Sequence, residues 1–107
     1  MSGASFAETL RESLRLEILR TLASRQCPES TLAEHLLGDQ ARQAGLSVSL
    51  DQVRTACQWL NDQGLVVRQP VSSGVAIVTL TDAGLDCAHG RALVPGVARP
   101  RPGQVIV

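Results

Sequence analysis

Apolar residues recur at helical spacing in the first half of the chain. In the first stretch they stand four apart, at Phe6, Leu10, Leu14, Ile18 and Leu22. This period predicts an amphipathic helix over residues 6 to 24, which ends before Pro28. The polar residues lie mostly off the apolar stripe, so one side of the helix should face a core.

A second helix is predicted in the segment that follows. Thr31 and Glu34 have the T-x-x-E spacing of a capping box, which would open the helix with two bonds between side chains and backbone amides. Gly38 weakens the middle of this segment, so a short helix to Leu37 followed by a looser turn is an alternative. Gly45 is suited to the left-handed conformation that ends a helix.

The third helix has the clearest signals. Ser49 and Gln52 form another capping-box pair, and Asp51 suits the positive end of the helix dipole. The inward stripe of this helix consists of Val53, Ala56, Cys57 and Leu60. Gly64 stands where a helix-ending residue with positive φ belongs.

The period then changes to that of strands. The runs "LVVRQ" and "VAIVTL" are rich in β-branched residues and are separated by "PVSSG", which predicts a β-hairpin over about residues 65 to 80. Thr81 and Asp82 can cap a short last helix that ends before Gly90. Residues 91 to 107 contain three prolines and two glycines, which predicts an extended arm.

The chain length of 107 residues fits one domain, which we assign to residues 1 to 90, with residues 91 to 107 as its arm. Aromatic residues make up only 2% of the chain, so the core should be aliphatic. No apolar run approaches the roughly 20 residues that a membrane helix needs. The N-terminus carries acids where a signal peptide would be apolar, so a cytoplasmic protein without a membrane partner is expected.

The sequence lacks the motifs of known catalytic and metal sites. Cys27, Cys57 and Cys87 stand 30 residues apart, unlike the closely spaced ligands of metal and redox sites. Reduced, buried thiols and no metal ion are therefore expected. His35 and His89 have no evident ligand partners in the sequence. Without a nucleophile triad, paired carboxylates or a phosphate loop, neither an enzymatic activity nor a cofactor is predicted.

The formal net charge is zero, because ten arginines balance ten acidic residues. Residues 1 to 90 hold seven of the arginines and all the acids, whereas residues 91 to 107 hold three arginines and no acid. A neutral chain differs from the strongly basic composition of an obvious nucleic-acid binder. The basic arm is the feature that keeps such binding open.

The end of the third helix and the hairpin resemble winged helix-turn-helix regulators of the MarR, ArsR and PadR type. In those families an L-x-x-x-G-L-V step joins the recognition helix to the wing, and an L-T-x-x-G step follows the second wing strand. The matching residues are Leu60, Gly64, Leu65, Val66, Leu80, Thr81 and Gly84. The resemblance implies an α+β, mainly α, winged helix-turn-helix fold with three helices, a two-stranded wing, a short C-terminal helix and the extended arm.

A second resemblance covers almost the whole chain. The segments "LRLEILRTLA", "DQVRTACQWLNDQGLV" and "TLTDAGLDCAHGRALVPGVARPRP" are similar to a family of small uncharacterised proteins of Mu-like transposable phages and prophages. This resemblance implies a phage or prophage origin, and with it the cytoplasm of a bacterial host cell. It implies no activity.

The second helix of a helix-turn-helix enters the major groove of double-stranded DNA. The outward side chains predicted to read bases there are Gln52, Arg54, Thr55 and Gln58, because glutamine suits adenine, arginine suits guanine and threonine suits the thymine methyl group. Contacts with phosphates or the minor groove are predicted for Arg68 of the wing and for Arg91, Arg99 and Arg101 of the arm. Alternatively, the arm wraps a neighbouring subunit and its arginines are solvated or ion-paired.

A homodimer is predicted from apolar residues that a small core cannot cover. Its interface residues would be Phe6 and Leu10 of the first helix and Leu93, Val94 and Val97 of the arm. Trp59 should pack against the wing or a partner subunit rather than stack on a base. The predicted function is that of a dimeric transcriptional regulator of a phage. The alternative is a winged-helix module that binds a host or phage protein and no nucleic acid, which the near-neutral helix surface favours.

Overall fold

A computed structural model of the protein describes residues 5–72 and 74–100. The elements in this part of the chain are α1 (Phe6–Ala23), a 3-10 turn (Pro28–Ser30), β1 (Thr31–Ala33), α2 (Glu34–Gln43), α3 (Leu50–Asp62), β2 (Val66–Ser72), β3 (Val75–Leu80) and α4 (Asp82–Ala88). The architecture is α+β and mainly helical, as predicted. It is compatible with a winged-helix-like fold.

The described sheet has three antiparallel strands in the order β1-β3-β2, one more than the two strands of the predicted wing. β2 and β3 form the predicted hairpin, with Val66 opposite Leu80. The additional strand, β1, pairs with the other edge of β3 and places Leu32 opposite Val78. Pro70 has no amide proton to donate and lies in the edge strand β2, where a missing donor is tolerated.

The predicted capping box at the start of α2 is also wrong. Thr31 belongs to β1, and its hydroxyl is hydrogen-bonded to the Glu29 carbonyl and to the Thr79 hydroxyl. The helix α2 begins at Glu34 without a side-chain cap. The Glu34 carboxylate turns inward instead and accepts a hydrogen bond from Arg68. Tertiary pairing has overridden a local motif, because the Thr31 hydroxyl pairs with Thr79 of β3 and the Glu34 carboxylate pairs with Arg68 of β2.

The helix α2 runs through Gly38 to Gln43, so the alternative of a short helix ending at Leu37 is wrong. Gly38 is buried, and a Cβ atom there would lie 3.4 Å from Cγ2 of Val53 in α3. The position therefore faces α3, and α2 continues through it despite the poor helix propensity of glycine. Gly45 follows with a φ of +96°, as expected for a residue that ends a helix.

The signals at both ends of α3 are confirmed. The Ser49 amide donates to Oε1 of Gln52 at 2.7 Å, and the Gln52 amide donates to the Ser49 hydroxyl at 3.2 Å. Gly64 after the helix has a φ of +77°. Thr81 caps α4 as predicted, since its hydroxyl accepts a hydrogen bond from the Gly84 amide at 3.1 Å.

The core lies among α1, α2, α3 and the inner face of the sheet, and it is aliphatic as predicted. Its largest fully buried side chains are Leu14, Ile18, Leu19, Leu22, Leu37, Val53, Cys57, Leu60, Val66 and Val78. Cys57 and Cys87 are buried free thiols, and Cys27 is half-buried. Burial raises the pKa of each of these thiols, which keeps them protonated at neutral pH. Within the described residues, no helix combines the length and the apolar character that a membrane crossing requires.

The segment from residue 91 to residue 100 contains no helix or strand and lies against the surface of its own chain. The Ala98 amide donates to the Glu12 carbonyl of α1 at 3.2 Å. Arg101 and the remainder of the predicted arm lie outside the described residues.

Candidate functional site

An open cleft lies between α3 and the β2–β3 hairpin. Its main part has a volume of about 450 Å³ and is lined by Arg54, Thr55, Gln58, Trp59, Asp62 and Arg68. A second part of about 220 Å³ follows the hairpin and is also bordered by Arg54 and Arg68. Three of the four helix residues predicted to read DNA therefore share this cleft with the predicted wing arginine.

The polar side chains of α3 differ in the hydrogen bonds that they already make within the protein. Gln52 is part of the capping box and accepts a hydrogen bond from the Ser49 amide. Gln58 donates to Oδ1 of Asp62 at 2.9 Å, so it must leave that carboxylate before it can bind a base. Thr55 is exposed beside both of them. Thr55 and Gln58 are the outward positions best placed to bind a ligand, whereas Gln52 has a structural role.

Arg54 reaches from α3 to the turn of the hairpin. Its Nη2 donates to the Gly74 carbonyl at 3.3 Å, while its Nε lies 3.8 Å from Oε1 of Glu34 and its Nη1 lies 3.7 Å from Oδ1 of Asp51. These distances are at the long end for hydrogen bonds and ion pairs. The side chain is 38% exposed, so Arg54 can exchange its contacts for those of a ligand.

Arg68 is held much more tightly. Its Nε donates to Oε2 of Glu34 at 2.6 Å and its Nη2 donates to Oε1 of the same carboxylate at 3.2 Å. The Glu34 side chain is only 4% exposed and that of Arg68 is 21% exposed. The hydrogen bond to Glu34 raises the pKa of Arg68. A two-bond pair of this kind is among the stronger side-chain interactions.

Glu34 is the residue that the sequence interpretation missed. It was assigned to a helix cap, yet it is the one buried charged side chain among the described residues. It stands at the first position of α2, where the helix dipole favours a carboxylate, and it faces the hairpin. No local sequence signal identifies this role, because the partner Arg68 lies 34 positions later in the chain.

The side chains in and around the cleft carry no excess of positive charge. Two arginines, Arg54 and Arg68, face three acids, which are Glu34, Asp51 and Asp62. The predicted phosphate contact from the hairpin is thus already occupied by a protein carboxylate. A polyanion would meet a cleft that is close to neutral.

The arginines of the C-terminal segment do not extend this cleft. Arg91 pairs with Asp86 at the end of α4, with 3.0 Å between Nη2 and Oδ1. Arg99 is exposed and follows Ala98, which is bonded to α1. The predicted DNA-binding arginines within residues 5–72 and 74–100 therefore fall into two separate groups, one beside the hairpin and one beside α1 and α4.

Trp59 packs against α1 and the C-terminal segment, whereas the sequence indicated the hairpin or a partner subunit. The Arg15 guanidinium lies 4.0 Å from the centroid of its ring, and Nη1 of Arg15 donates to the Gly96 carbonyl at 2.9 Å. Gly96 has a φ of +98° and faces the ring directly. This cluster fixes residues 94 to 97 on the domain.

A second, more apolar groove separates the start of α1 from the start of α3. It has a volume of about 240 Å³ and is lined by Ala7, Leu10, Arg11, Leu14, Arg15, Val48, Asp51, Gln52, Thr55 and Ala56. Phe6, which precedes the lining residue Ala7 in the chain, is 82% exposed. Among the other predicted interface residues, Leu93 is 59% exposed, whereas Leu10, Val94 and Val97 are partly buried against the core of their own chain.

The motif residues of the hairpin region contact one another. The Thr81 hydroxyl lies 2.8 Å from the Gly64 carbonyl oxygen and 2.9 Å from that of Leu65. A side chain at Gly84 would collide with the Leu65 carbonyl. The L-x-x-x-G-L-V and L-T-x-x-G motifs therefore contact each other, and this contact fixes the end of α3 to the start of α4.

No protein-family model matches the chain. An uncharacterised protein of Escherichia phage Mu, gp26, is 43% identical to it over 95 residues, which cover 89% of this chain and 95% of the Mu protein. The chain belongs to the family of this Mu protein. An uncharacterised protein of Haemophilus influenzae is 30% identical over 84 residues, which cover 78% of this chain and 79% of that protein. The predicted membership in a family of Mu-like phage proteins is confirmed.

Proposed function

We propose that the chain is a phage-encoded winged helix-turn-helix protein that binds double-stranded DNA and regulates transcription in the host cytoplasm. In this assignment α2 and α3 form the helix-turn-helix, and the β2–β3 hairpin is the wing, as in the MarR, ArsR and PadR types. The observation that carries the proposal is the grouping of Arg54, Thr55 and Gln58 on the outer side of α3, beside the hairpin.

These three side chains have the chemistry that base recognition requires. Arginine binds guanine through two acceptors, glutamine binds adenine through its amide, and the threonine methyl group contacts thymine. Among the described residues, Arg54 holds only long contacts, and Gln58 has a single exposed partner in Asp62. Both can therefore turn toward a base edge at small cost. Thr55 is exposed on the same side of the helix.

The near-neutral cleft implies modest affinity from phosphate contacts. Strong DNA-binding proteins neutralise about six to ten phosphates, and this cleft supplies Arg54 and an already paired Arg68. Most discrimination should then come from base contacts, because phosphate contacts position a protein without specifying sequence.

Two copies of the protein would double the small supply of positive charge. The exposed Phe6 beside an apolar groove supports such a homodimer, since exposed apolar patches mark interfaces. Phe6 directly precedes Ala7 of the groove in the chain, so a two-fold axis would allow each copy to bind the Phe6 of the other. This dimer is part of the proposal.

Fluorescence anisotropy with duplex fragments from the chain's own coding locus tests the proposal. Wild-type protein should prefer one fragment over the others. Gln58→Ala should weaken binding to that fragment by about 1 to 3 kcal/mol and reduce the preference. Gln26→Ala is the matched control, because Gln26 is an exposed glutamine in the turn after α1. Equal affinity for all fragments, or equal losses for both variants, would contradict base reading by α3.

A second candidate function is a protein-interaction module that binds a host or phage protein through the hairpin. It is favoured by Val67 and Val71, which are 53% and 55% exposed on β2, together with the balanced charge of the cleft. A photo-crosslinking residue at position 71, tested in phage-producing cells, would form a discrete protein adduct that is absent when the probe stands at Thr9. Absence of such an adduct would contradict this second function.

A further inference from the structure

The buried carboxylate of Glu34 contacts both arginines of the cleft. It lies beneath the point where α2, α3 and the hairpin meet, and it is bound by two nitrogens of Arg68. Its Oε1 is also 3.8 Å from Nε of Arg54. One internal anion is therefore shared by two cations that line the open cleft.

We propose that Glu34 acts as an internal substitute for a DNA phosphate and thereby limits non-specific binding by the cleft. This inference rests on the proposed function. A carboxylate and a phosphate present similar oxygen pairs to a guanidinium. Arg68 already uses its Nε and Nη2 on Glu34, so it cannot offer the same two-bond contact to the DNA backbone.

Glu34 affects the specificity of DNA binding because it weakens the contacts that do not depend on base sequence. Affinity for arbitrary sequences comes almost entirely from phosphate neutralisation, and Glu34 removes one full cation and part of another from that interaction. Contacts to base edges by Thr55 and Gln58 are unaffected, because among the described residues no hydrogen bond joins either side chain to Glu34. Arg54 lies 3.8 Å from Glu34, a contact long enough to be given up for a guanine. The ratio of specific to non-specific binding should therefore be higher with Glu34 than without its charge.

The location of Glu34 argues against a purely local structural role. A buried ion pair is weak evidence of stabilisation, because the cost of burying both charges can exceed their attraction. Here only the carboxylate is fully covered, while the Arg68 side chain is 21% exposed on the cleft side. The Arg68 guanidinium thus lies at the surface that a nucleic acid would approach, and the buried Glu34 carboxylate compensates its charge.

The test is Glu34→Gln, which keeps the shape of the side chain and removes its charge. The matched control is Glu17→Gln on α1, which also converts a carboxylate paired with an arginine, Arg20, into an amide. Non-specific duplex binding is measured by anisotropy at 50 and 200 mM salt. Both variants are compared with wild type after thermal unfolding shows that each is folded.

Glu34→Gln should increase the salt dependence of log affinity by about 0.9 for one released arginine and up to about 1.8 for two. The loss of affinity between the two salt concentrations then grows about three- to twelvefold for each chain. Glu17→Gln should leave the salt dependence at the wild-type value. An unchanged or smaller dependence in Glu34→Gln overturns the inference while leaving the proposed function in place. No binding by either the wild type or the variant overturns both.

If Glu34→Gln fails to fold, a measurement on the wild-type protein tests the inference instead. The side-chain Nε–H resonance of Arg68, observed by NMR, should keep its position when a bound duplex is added, because the Glu34 bond persists. The Arg54 resonance should shift. A shift of Arg68 comparable to that of Arg54 would show that DNA displaces Glu34 and would contradict the inference.

Discussion

Gly96 faces the indole ring of Trp59 so closely that a Cβ atom on residue 96 would lie 2.6 Å from Cζ2 of the ring. The contact joins the C-terminal segment to α3, and Arg15 contacts both the Trp59 ring and the Gly96 carbonyl. The "VPGV" segment is therefore part of the folded domain. Its sequence is constrained by an aromatic side chain almost forty residues earlier in the chain.

Gly96→Ala should destabilise the protein more than Gly45→Ala. The two glycines have nearly the same φ, +98° and +96°, but nothing lies near a Cβ atom at position 45. Both variants incur left-handed strain of about 1 to 3 kcal/mol, and only Gly96→Ala adds an overpacking cost of about 1 to 3 kcal/mol. Urea unfolding of both variants measures the difference. Equal losses would show that the segment can leave Trp59 freely.

Thr81→Val should lower the free energy of unfolding by about 2 kcal/mol. The substitution removes the cap of α4, which is worth about 1 kcal/mol, and also the hydroxyl contacts with the Gly64 and Leu65 carbonyls. Thr9→Val is the control, because the bond of the Thr9 hydroxyl within the described residues is an exposed one to the Ser5 carbonyl. Its effect should stay within about 0.5 kcal/mol. Similar losses of stability in both variants would contradict a stabilising contact between the two motifs.

Alkaline pH should destabilise the protein through its buried thiols. The pKa of Cys57 is raised, first by burial and then by the neighbouring Glu34 carboxylate, whereas an unfolded thiol titrates near about 8.5. The folded state keeps the proton that the unfolded state loses, so stability is full below about pH 8.5 and falls as the pH rises above it. The chain contains no lysine and no tyrosine, so few other groups titrate in this window.

Cys57→Ala isolates this effect. Its free energy of unfolding should fall less steeply with pH than that of the wild type, by about 1.4 kcal/mol per pH unit between pH 9 and pH 10.5. Urea unfolding at three pH values gives both slopes. Parallel slopes for the two proteins would mean that Cys57 ionises in the folded state.

Self-association should depend on Phe6. Light scattering at micromolar concentration should give the mass of a dimer for the wild type and that of a monomer for Phe6→Ser, because the exposed ring is expected to enter the groove of a second copy. Leu36→Ser, at a 41% exposed leucine on α2, should remain dimeric. A monomeric wild type would remove the dimer from the proposed function.

Much of the fold could be predicted from the sequence because local chemistry and tertiary structure agree there. Ser49 and Gln52 form a cap in the predicted way, and the β-branched runs pair as the predicted hairpin. Thr31 and Glu34 could not be assigned, since their spacing fits a cap equally well as a strand followed by an inward carboxylate. Only the position of β3 decides between the two.

The types of residue in the candidate site could be predicted from the sequence, but the ion pairs between them could not. The period of α3 correctly placed Arg54, Thr55 and Gln58 on the outside of the helix. Arg68 is occupied by Glu34, which lies 34 positions earlier in the sequence. No local sequence pattern predicts an ion pair between residues so far apart. The segment after residue 90 is similarly predicted from its prolines and glycines, without the Trp59 contact that positions it.

The salt dependence of DNA binding by the intact wild-type protein tests the central claim most directly. Affinity for the preferred fragment is measured from 50 to 200 mM salt. A preference for one fragment, with a slope of log affinity against log salt smaller in magnitude than about 4, is expected for a protein that reads bases through α3 with few free arginines. A slope of about 6 to 10, or the same weak affinity for every fragment, would contradict it.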